Sequence, residues 1–248
     1  MIDLHSHVLP GVDDGAADLD DALAICAAAV ADGIEVLAAT PHVRSDYPTT
    51  PERMETALAE LRGAAGDRLR LVAGGELDLA ELERPPEELR RFGLAGNPDM
   101  LLVETPYAGW PLDLADRLFR LKLAGFGAVL AHPERNRDVQ ERPDLLEQIV
   151  QGGTLVQLTA ASLDGRFGAG AQQCSFTLLE RGLAQLVASD AHSASVREIG
   201  MSAAVEAIGD ANLARWLTED VPRSILERTP VPPRPAGDRP RRFGLFRR

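Results

Sequence analysis

The chain has 248 residues, of which 45% are hydrophobic and 26% charged, a composition that suits a globular protein and excludes collagen-like and wholly disordered chains. Two cysteines exclude a disulfide scaffold and a four-cysteine zinc module. The net charge is −12; residues 231–248 contain six arginines and one aspartate, a net charge of +5, so the remainder carries −17. Such an acidic body argues against a generic nucleic-acid binder, because that affinity comes from basic patches.

Short apolar runs alternate with amphipathic stretches along the whole chain. The apolar runs predict seven strands, at residues 2–5, 36–40, 69–74, 100–104, 128–132, 155–158 and 184–189. The amphipathic stretches predict helices at residues 19–30, 51–64, 112–124, 144–150, 171–183 and 196–207. Alternating strands and helices indicate a parallel sheet covered by helices. Seven such units favour a closed or nearly closed (β/α) barrel over an open sheet.

The two ends of the chain predict its location and its domain boundary. The first strand begins at Ile2, which leaves no room for a signal peptide, and no run of about 18 uncharged apolar residues would span a membrane. We therefore expect a cytoplasmic protein without membrane insertion. Five prolines predict a boundary between a main domain, residues 1–229, and a mobile Pro/Arg-rich tail, residues 230–248. The tail is either a solvated end or a contact for an acidic partner or anionic lipid.

The histidines of this sequence occur where its predicted strands end. Each of the five lies at the C-terminal end of a strand or just beyond it: His5, His7, His42, His132 and His192. Four carboxylates occupy matching positions: Asp14, Glu76, Glu104 and Asp190. In a parallel barrel these strand ends form the face that carries active sites. The pattern therefore predicts that all nine side chains share one rim.

The spacing of these donors favours a metal site. His5 and His7 are two residues apart on a strand, so both imidazoles point the same way, and Asp190 and His192 repeat that spacing. Of Asp13 and Asp14, one is a candidate ligand, with turn capping as the alternative. Any one of these residues alone could be a cap or a buried hydrogen-bonding group. Together, nine nitrogen and oxygen donors suit two or three ions, and without thiolates they favour manganese, iron, zinc or cobalt.

These residues belong to motifs that carry a family resemblance. The motifs are D-L-H-S-H (3–7), P-G-V-D-D-G (10–15), T-P-H (40–42), G-G-E (74–76), E-T-P (104–106), A-H-P-E-R (131–135) and S-D-A-H (189–192). In this order and spacing they resemble the PHP (polymerase and histidinol phosphatase) superfamily, and more narrowly its bacterial tyrosine-protein phosphatases of the capsular and exopolysaccharide type. The resemblance runs from Met1 to about Arg228. It implies a distorted TIM-like (β/α)7 barrel with a trinuclear site, manganese being the first expectation.

The resemblance also implies how the donors are shared. A first metal would be held by His5, His7, Glu76 and Asp190. Glu76 would bridge to a second, held also by Glu104 and His132. A third would be held by Asp14, His42 and His192. Asp3 and Asp13 are expected to have structural hydrogen-bonding roles instead.

Two arginines are expected at the catalytic site. In the family, arginines at the positions of Arg135 and Arg197 contact the phosphate, and a guanidinium suits that task because its forked donors match phosphoryl oxygens. Arg44 is a weaker candidate. Thiol catalysis is not indicated: cysteine-dependent tyrosine phosphatases place an arginine six positions after the nucleophile, whereas Cys26 and Cys174 are followed there by acidic residues. Both cysteines are expected to be buried.

The resemblance predicts a metal-dependent protein-tyrosine phosphatase in which a metal-activated hydroxide attacks phosphorus in line. A tyrosine leaving group has a pKa of about 10, so a dedicated general acid is not required. The expected substrate is a phosphotyrosine protein, namely a bacterial tyrosine autokinase that controls polysaccharide export. A small-molecule phosphoesterase acting on a substrate such as histidinol phosphate is the alternative. A non-catalytic binding module with structural metals is a third reading.

Overall fold

Parallel β-structure forms a ring in the computed structural model, which describes residues 1–195 and 199–236. The strands are β1 Ile2–Asp3, β2 Val36–Ala39, β3 His42–Val43, β4 Arg70–Ala73, β5 Glu76–Leu77, β6 Met100–Glu104, β7 Gly127–Ala131, β8 Leu155–Thr159 and β9 Leu186–Ala188. Strands β3 and β5 continue β2 and β4 after two-residue breaks at 40–41 and 74–75. The nine segments therefore occupy the seven strand positions that the sequence predicts.

Backbone pairing closes this ring into a barrel. The strands pair in parallel in the orders β1-β2-β4 and β3-β5-β6-β7-β8-β9. The two ends meet just beyond β1 and β9, where Ser6 and Ala191 form a parallel bridge. The His7 N–H donates to the Ala191 carbonyl at 2.8 Å, and the Asp190 N–H donates to the His5 carbonyl at 2.9 Å. The expected distorted seven-stranded α/β barrel is thus confirmed, and its closing segment carries candidate ligands.

Helices cover the outside of the barrel. They are α1 Leu19–Ala31, α2 Pro51–Ala65, α3 Pro86–Leu89, α4 Leu114–Leu123, α5 Arg137–Glu141, α6 Glu147–Gln151, α7 Ala160–Leu163, α8 Ala169–Glu180, α9 Met201–Ile208, α10 Ala211–Arg215 and α11 Val221–Glu227. A π-helical turn, Trp216–Asp220, joins α10 to α11, and a 3-10 turn, Pro133–Arg135, follows β7. In the described part of the chain no helix is both long and apolar enough to cross a membrane.

The long helices begin where capping chemistry predicts. The Asp18 side chain accepts the Asp21 N–H at the start of α1, and Thr50 caps α2 ahead of Pro51. The predicted helix at 196–207 is shorter than expected. It starts at Met201, because Gly200 has a φ of +59° that interrupts a helix, and residues 196–198 lie outside the described ranges.

The core lies between the strand ring and these helices. On α1 the buried residues recur at helical spacing. Phe92 is buried next to Gly75 at the β4–β5 break. Most strand positions are buried, as expected for parallel strands covered by helices. This packing fixes the strand ends on which the candidate site is built.

Candidate metal centre

The nine predicted donors, here called the donor cluster, lie together at the C-terminal rim of the barrel. His5 and His7 follow β1, Asp14 lies in the next loop, His42 opens β3, Glu76 opens β5, Glu104 ends β6, His132 follows β7, and Asp190 and His192 follow β9. All are buried except Asp14, whose side chain is 35% exposed. Parallel strand ends converge on one face, so residues distant in sequence become neighbours here.

The carboxylate of Glu76 lies at the middle of the donor cluster. Its Oε2 is 2.9 Å from His42 Nδ1 and 3.4 Å from the Nε2 atoms of both His5 and His7. Its Oε1 is 2.8 Å from His132 Nε2. One carboxylate therefore faces four imidazoles.

Two glycines allow Glu76 this position. A Cβ on Gly74 would lie 2.8 Å from Thr40 Cγ2, and a Cβ on Gly75 would lie 2.8 Å from Phe92 Cδ1. Larger residues at the β4–β5 break would force these neighbours to move. The G-G-E motif is thus explained by close backbone approach immediately before the acidic residue.

The remaining carboxylates surround this centre. Asp190 Oδ1 is 3.3 Å from His7 Nε2 and 3.5 Å from His5 Nε2. Asp14 Oδ1 is 3.4 Å from His192 Nε2 and 3.5 Å from His42 Nε2. Glu104 Oε2 is 3.7 Å from His42 Nδ1.

The donors fall into four overlapping groups whose ligand atoms all lie within 4.8 Å of one another. These groups are His7, Asp14, His42 and His192; His5, His7 and Asp190; His5, Glu76 and His132; and His42, Glu76 and Glu104. All nine predicted donors take part. Shared members such as Glu76 suit neighbouring ions rather than one isolated ion.

Hydrogen bonds from behind orient the imidazoles toward the centre. His7 Nδ1 lies 2.7 Å from Asp13 Oδ2, and His5 Nδ1 lies 2.8 Å from Gln157 Oε1. With a proton on each Nδ1, both Nε2 atoms present lone pairs to the cluster, the arrangement that metal-binding histidines adopt. Asp3 Oδ1 accepts the N–H groups of His5 and Ser189. The structural roles expected for Asp3 and Asp13 are confirmed.

The electrostatics of the cluster suit a cation. Burial opposes ionisation of Glu76 and Asp190, yet the charge of His5 and the hydrogen bonds of neighbouring imidazoles hold the pKa of each carboxyl well below its usual range. Burial raises the pKa of Glu104, and the charge of Glu76 raises it further. The Oε2 atom of Glu104 is buried without a hydrogen-bond donor among the described residues. Buried, crowded carboxylate oxygens of this kind fit divalent ions.

Backbone strain coincides with two of the donors. His132 has a φ of +39° and Asp190 a φ of +53°, the left-handed region that non-glycine residues rarely occupy. Both follow directly after barrel strands and turn their side chains inward at the rim. Strain of this kind persists where the surrounding structure enforces it, most often at functional sites.

The candidate arginines differ in their surroundings. Arg135 donates from Nη1 to Asp190 Oδ2 at 2.7 Å, so it lies at the edge of the donor cluster. Arg44 donates to Glu104 Oε1 at 2.9 Å and also pairs with Asp46. Arg197 lies outside the described residues.

Sequence reasoning missed three side chains that contact the cluster. Gln157 supports His5, Tyr47 stacks on His42 with ring centres 5.8 Å apart, and Tyr107 stacks on His132 at the same distance. Gln157 could have been recognised from the sequence, because it is a polar residue within a predicted buried strand. The tyrosines lie in loops after strand ends, where only proximity to the motifs marked them.

The two cysteine thiols are poorly suited to act as nucleophiles. Cys26 and Cys174 are free and buried, as expected. Burial raises the pKa of Cys26 to about 11, and burial together with the Glu134 charge raises that of Cys174 to about 12. Thiolate is the reactive form, so neither residue is suited to act as a nucleophile near neutral pH.

Barrel and donor cluster together define an α/β-barrel protein with a candidate multi-ion metal centre at the face that carries active sites in such barrels. The chain belongs to the capsular polysaccharide synthesis family CpsB/CapC, whose family model matches residues 1–227.

Similar proteins are known from several bacteria. The tyrosine-protein phosphatase YwqE of Bacillus subtilis is 32% identical, the match covering 99% of this chain and all of YwqE. The tyrosine-protein phosphatase CpsB of Streptococcus pneumoniae is 26% identical over 91% of this chain and 98% of CpsB. A solved structure from work on YwqE and CpsB, described there as metal-dependent tyrosine phosphatases, superposes with a TM-score of 0.86 at 31% identity and covers 96% of this chain and all of its own.

A more distant solved structure bears on the fold alone. A probable 2-pyrone-4,6-dicarboxylic acid hydrolase from Acinetobacter baumannii matches with a TM-score of 0.55 at 16% identity, covering 91% of this chain and 98% of that one. It supports the barrel architecture and says nothing of the reaction.

Proposed function

We propose that this chain is a metal-dependent protein-tyrosine phosphatase, a phosphoric monoester hydrolase, with the PHP superfamily as its wider group. The observation that carries the proposal is the convergence of nine imidazole and carboxylate donors beside Arg135, whose side chain hydrogen-bonds only to Asp190 among the described residues. Relatives named as tyrosine-protein phosphatases over the full chain length support the reaction.

The donor cluster would hold two or three divalent ions, with manganese as the first expectation and iron, zinc or cobalt as the others. The proposed ligands are His5, His7, Asp14, His42, Glu76, Glu104, His132, Asp190 and His192. Ions held there would neutralise phosphoryl charge and activate the nucleophile near neutral pH. The overlapping donor groups, with Glu76 shared between two of them, support more than one ion.

The chain's own residues would bind and orient the substrate. Arg135 presents guanidinium N–H groups next to the donor cluster, where a phosphoryl group would lie. Arg197 is proposed as a second phosphate contact on the strength of the family pattern alone. A tyrosine leaving group with a pKa of about 10 departs without a dedicated general acid.

The proposed substrate is a phosphotyrosine protein, and more specifically a bacterial tyrosine kinase that regulates capsule or exopolysaccharide synthesis. The capsular synthesis family and the names of the relatives support this assignment. A cytoplasmic location and a catalytic domain over residues 1–229 are part of the same proposal. A contact of the basic tail with an acidic partner or membrane surface is also proposed; of this tail, residues 237–248 lie outside the described ranges.

A comparison of substrates tests the proposal. Purified protein loaded with Mn²⁺ is assayed on a phosphotyrosine peptide, a phosphoserine peptide and histidinol phosphate. We expect hydrolysis of the phosphotyrosine peptide, loss of that activity in His5→Ala and Asp190→Ala, and an unchanged rate in Cys26→Ser. Preference for histidinol phosphate would instead support the small-molecule phosphoesterase. Wild-type rates in both ligand variants would refute the assigned centre.

A further inference from the structure

The guanidinium of Arg135 lies against two aromatic rings. Its central carbon is 4.6 Å from the ring centre of Tyr107 and 4.4 Å from that of Phe167. Tyr107 comes from the loop after β6, Phe167 from the segment between α7 and α8, and Arg135 from the turn after β7. Three separate elements therefore converge on one arginine, whose side chain is only 19% exposed.

The rings and the carboxylate constrain different parts of this guanidinium. Each ring lies against the central carbon of the guanidinium, a contact that is favourable for a cation and does not use its N–H donors. Asp190 Oδ2 accepts from one nitrogen, while Asp190 Oδ1 faces the imidazoles of His5 and His7. The guanidinium is thereby fixed relative to the donor cluster. No other hydrogen bond from it to the described residues is seen, so donors remain for an anion.

Arg44 provides the contrast within the same rim. Its Nη1 donates to Glu104 Oε1 and its Nε pairs with Asp46 Oδ1, both at 2.9 Å, so carboxylates already use its donors. It contacts one ring, that of Tyr47, at 5.2 Å. Arg135 differs in having two closer rings and fewer carboxylate partners.

We propose that Tyr107 and Phe167 are positioning residues that hold the Arg135 guanidinium with its N–H edge toward the phosphoryl group of the substrate. Neither ring needs to touch the reacting atoms. Their effect is to keep a flexible side chain in its phosphate-binding orientation before the substrate arrives, which lowers the ordering cost of binding. The inference rests on the proposed function only for the identity of the substrate, because binding of inorganic phosphate tests it independently.

The test compares phosphate affinity across ring variants of the full-length protein loaded with Mn²⁺. Isothermal titration calorimetry with inorganic phosphate is run on wild type, Tyr107→Phe, Tyr107→Leu, Phe167→Leu and the control Leu112→Ala. Leu112 lies in the same loop as Tyr107 and is 98% exposed. We expect Tyr107→Leu and Phe167→Leu each to weaken phosphate binding about tenfold, whereas Tyr107→Phe and Leu112→Ala stay within about twofold.

Kinetics and a double-variant cycle separate positioning from a merely structural role. With p-nitrophenyl phosphate, the leucine variants are expected to raise KM about tenfold while kcat stays within about threefold. In an Arg135→Ala background, Tyr107→Leu should have no further effect on phosphate affinity, because the ring acts through that arginine. If Tyr107→Leu fails to fold, as judged by its Tm, Phe167→Leu carries the same test.

Several results would overturn the inference. These are wild-type phosphate affinity in the leucine variants, an equal loss in Tyr107→Phe and Tyr107→Leu, an additive loss in the Arg135→Ala background, or no phosphate binding by the wild-type protein. Failure of the proposed function looks different. In that case the wild-type protein hydrolyses no aryl phosphate, but its phosphate affinity still falls in Tyr107→Leu.

Discussion

Replacing Asp13 with asparagine tests how far the donor cluster depends on residues that hydrogen-bond to its imidazoles. Asp13 Oδ2 accepts from His7 Nδ1 at 2.7 Å and from the His42 N–H at 2.8 Å, and Oδ1 accepts from the Gly15 N–H at 3.0 Å. Burial opposes protonation of His7, but the Asp13 carboxylate raises the pKa of this imidazole well above its usual value. Asparagine keeps the shape of the side chain and removes its charge.

The magnitude follows from counting acceptors. An asparagine has one oxygen, so either the Gly15 N–H or the pair formed by His7 and His42 must face its NH₂ group. Each donor left unsatisfied in this buried setting costs about 1–3 kcal/mol. Loss of an outer carboxylate partner of a metal-binding histidine typically lowers metal affinity or activity about 10–100-fold. We therefore expect Asp13→Asn to lower Mn²⁺ affinity and kcat/KM by factors in this range.

Calorimetric Mn²⁺ titration, phosphotyrosine-peptide turnover and the Tm of the metal-free protein are the assays. Asp20→Asn is the matched control, because Asp20 is an exposed acid in the first turn of α1. Its substitution removes the same charge as Asp13→Asn. Wild-type metal affinity and turnover in Asp13→Asn would refute the argument that this carboxylate orients His7. An equal loss in Asp20→Asn would show that net charge, and not orientation, is responsible.

Three further predictions concern metal, pH and backbone. Chelation should abolish hydrolysis and lower the Tm, and restoring Mn²⁺ to about 100 times its Kd should add about 2.7 kcal/mol to the free energy of unfolding; an unchanged Tm would contradict this. Burial raises the pKa of Cys26 to about 11, and burial with the Glu134 charge raises that of Cys174 to about 12, so the unfolded thiols ionise first as pH rises. Stability should therefore fall between pH 8.5 and 10 by about 1 kcal/mol per thiol per pH unit, a loss that urea unfolding of a double alanine variant should not show. Gly15→Ala should lower the free energy of unfolding by about 2 kcal/mol, because its Cβ would lie 1.9 Å from the His7 carbonyl oxygen. Gly63→Ala, in open space within α2, should raise the free energy of unfolding by about 0.5–1 kcal/mol. Equal Tm values for the two variants would refute this contrast.

Sequence reasoning missed two features of the fold, because each depends on the surrounding structure rather than on a local pattern. The helical run from Ala211 to Glu227 is not among the helices predicted from the sequence. In the structure Pro222 lies within this run, directly after the π-helical turn Trp216–Asp220, in which the Val221 N–H donates to the Trp216 carbonyl. This wider turn allows the helix to continue up to the proline. The breaks at 40–41 and 74–75 were likewise invisible as divisions of strands, since the apolar pattern runs up to them.

The sequence by itself determined the alternation of strands and helices and the position of each donor at a strand end. Both follow from local rules: hydrophobic periodicity, and the polarity that places carboxyl ends of parallel strands on one rim. Only the tertiary structure decided that Glu76 faces four imidazoles, that Gln157 supports His5 from 152 residues away, and that two rings flank Arg135. These contacts depend on strand register and on ring closure through Ser6 and Ala191, which no local pattern encodes.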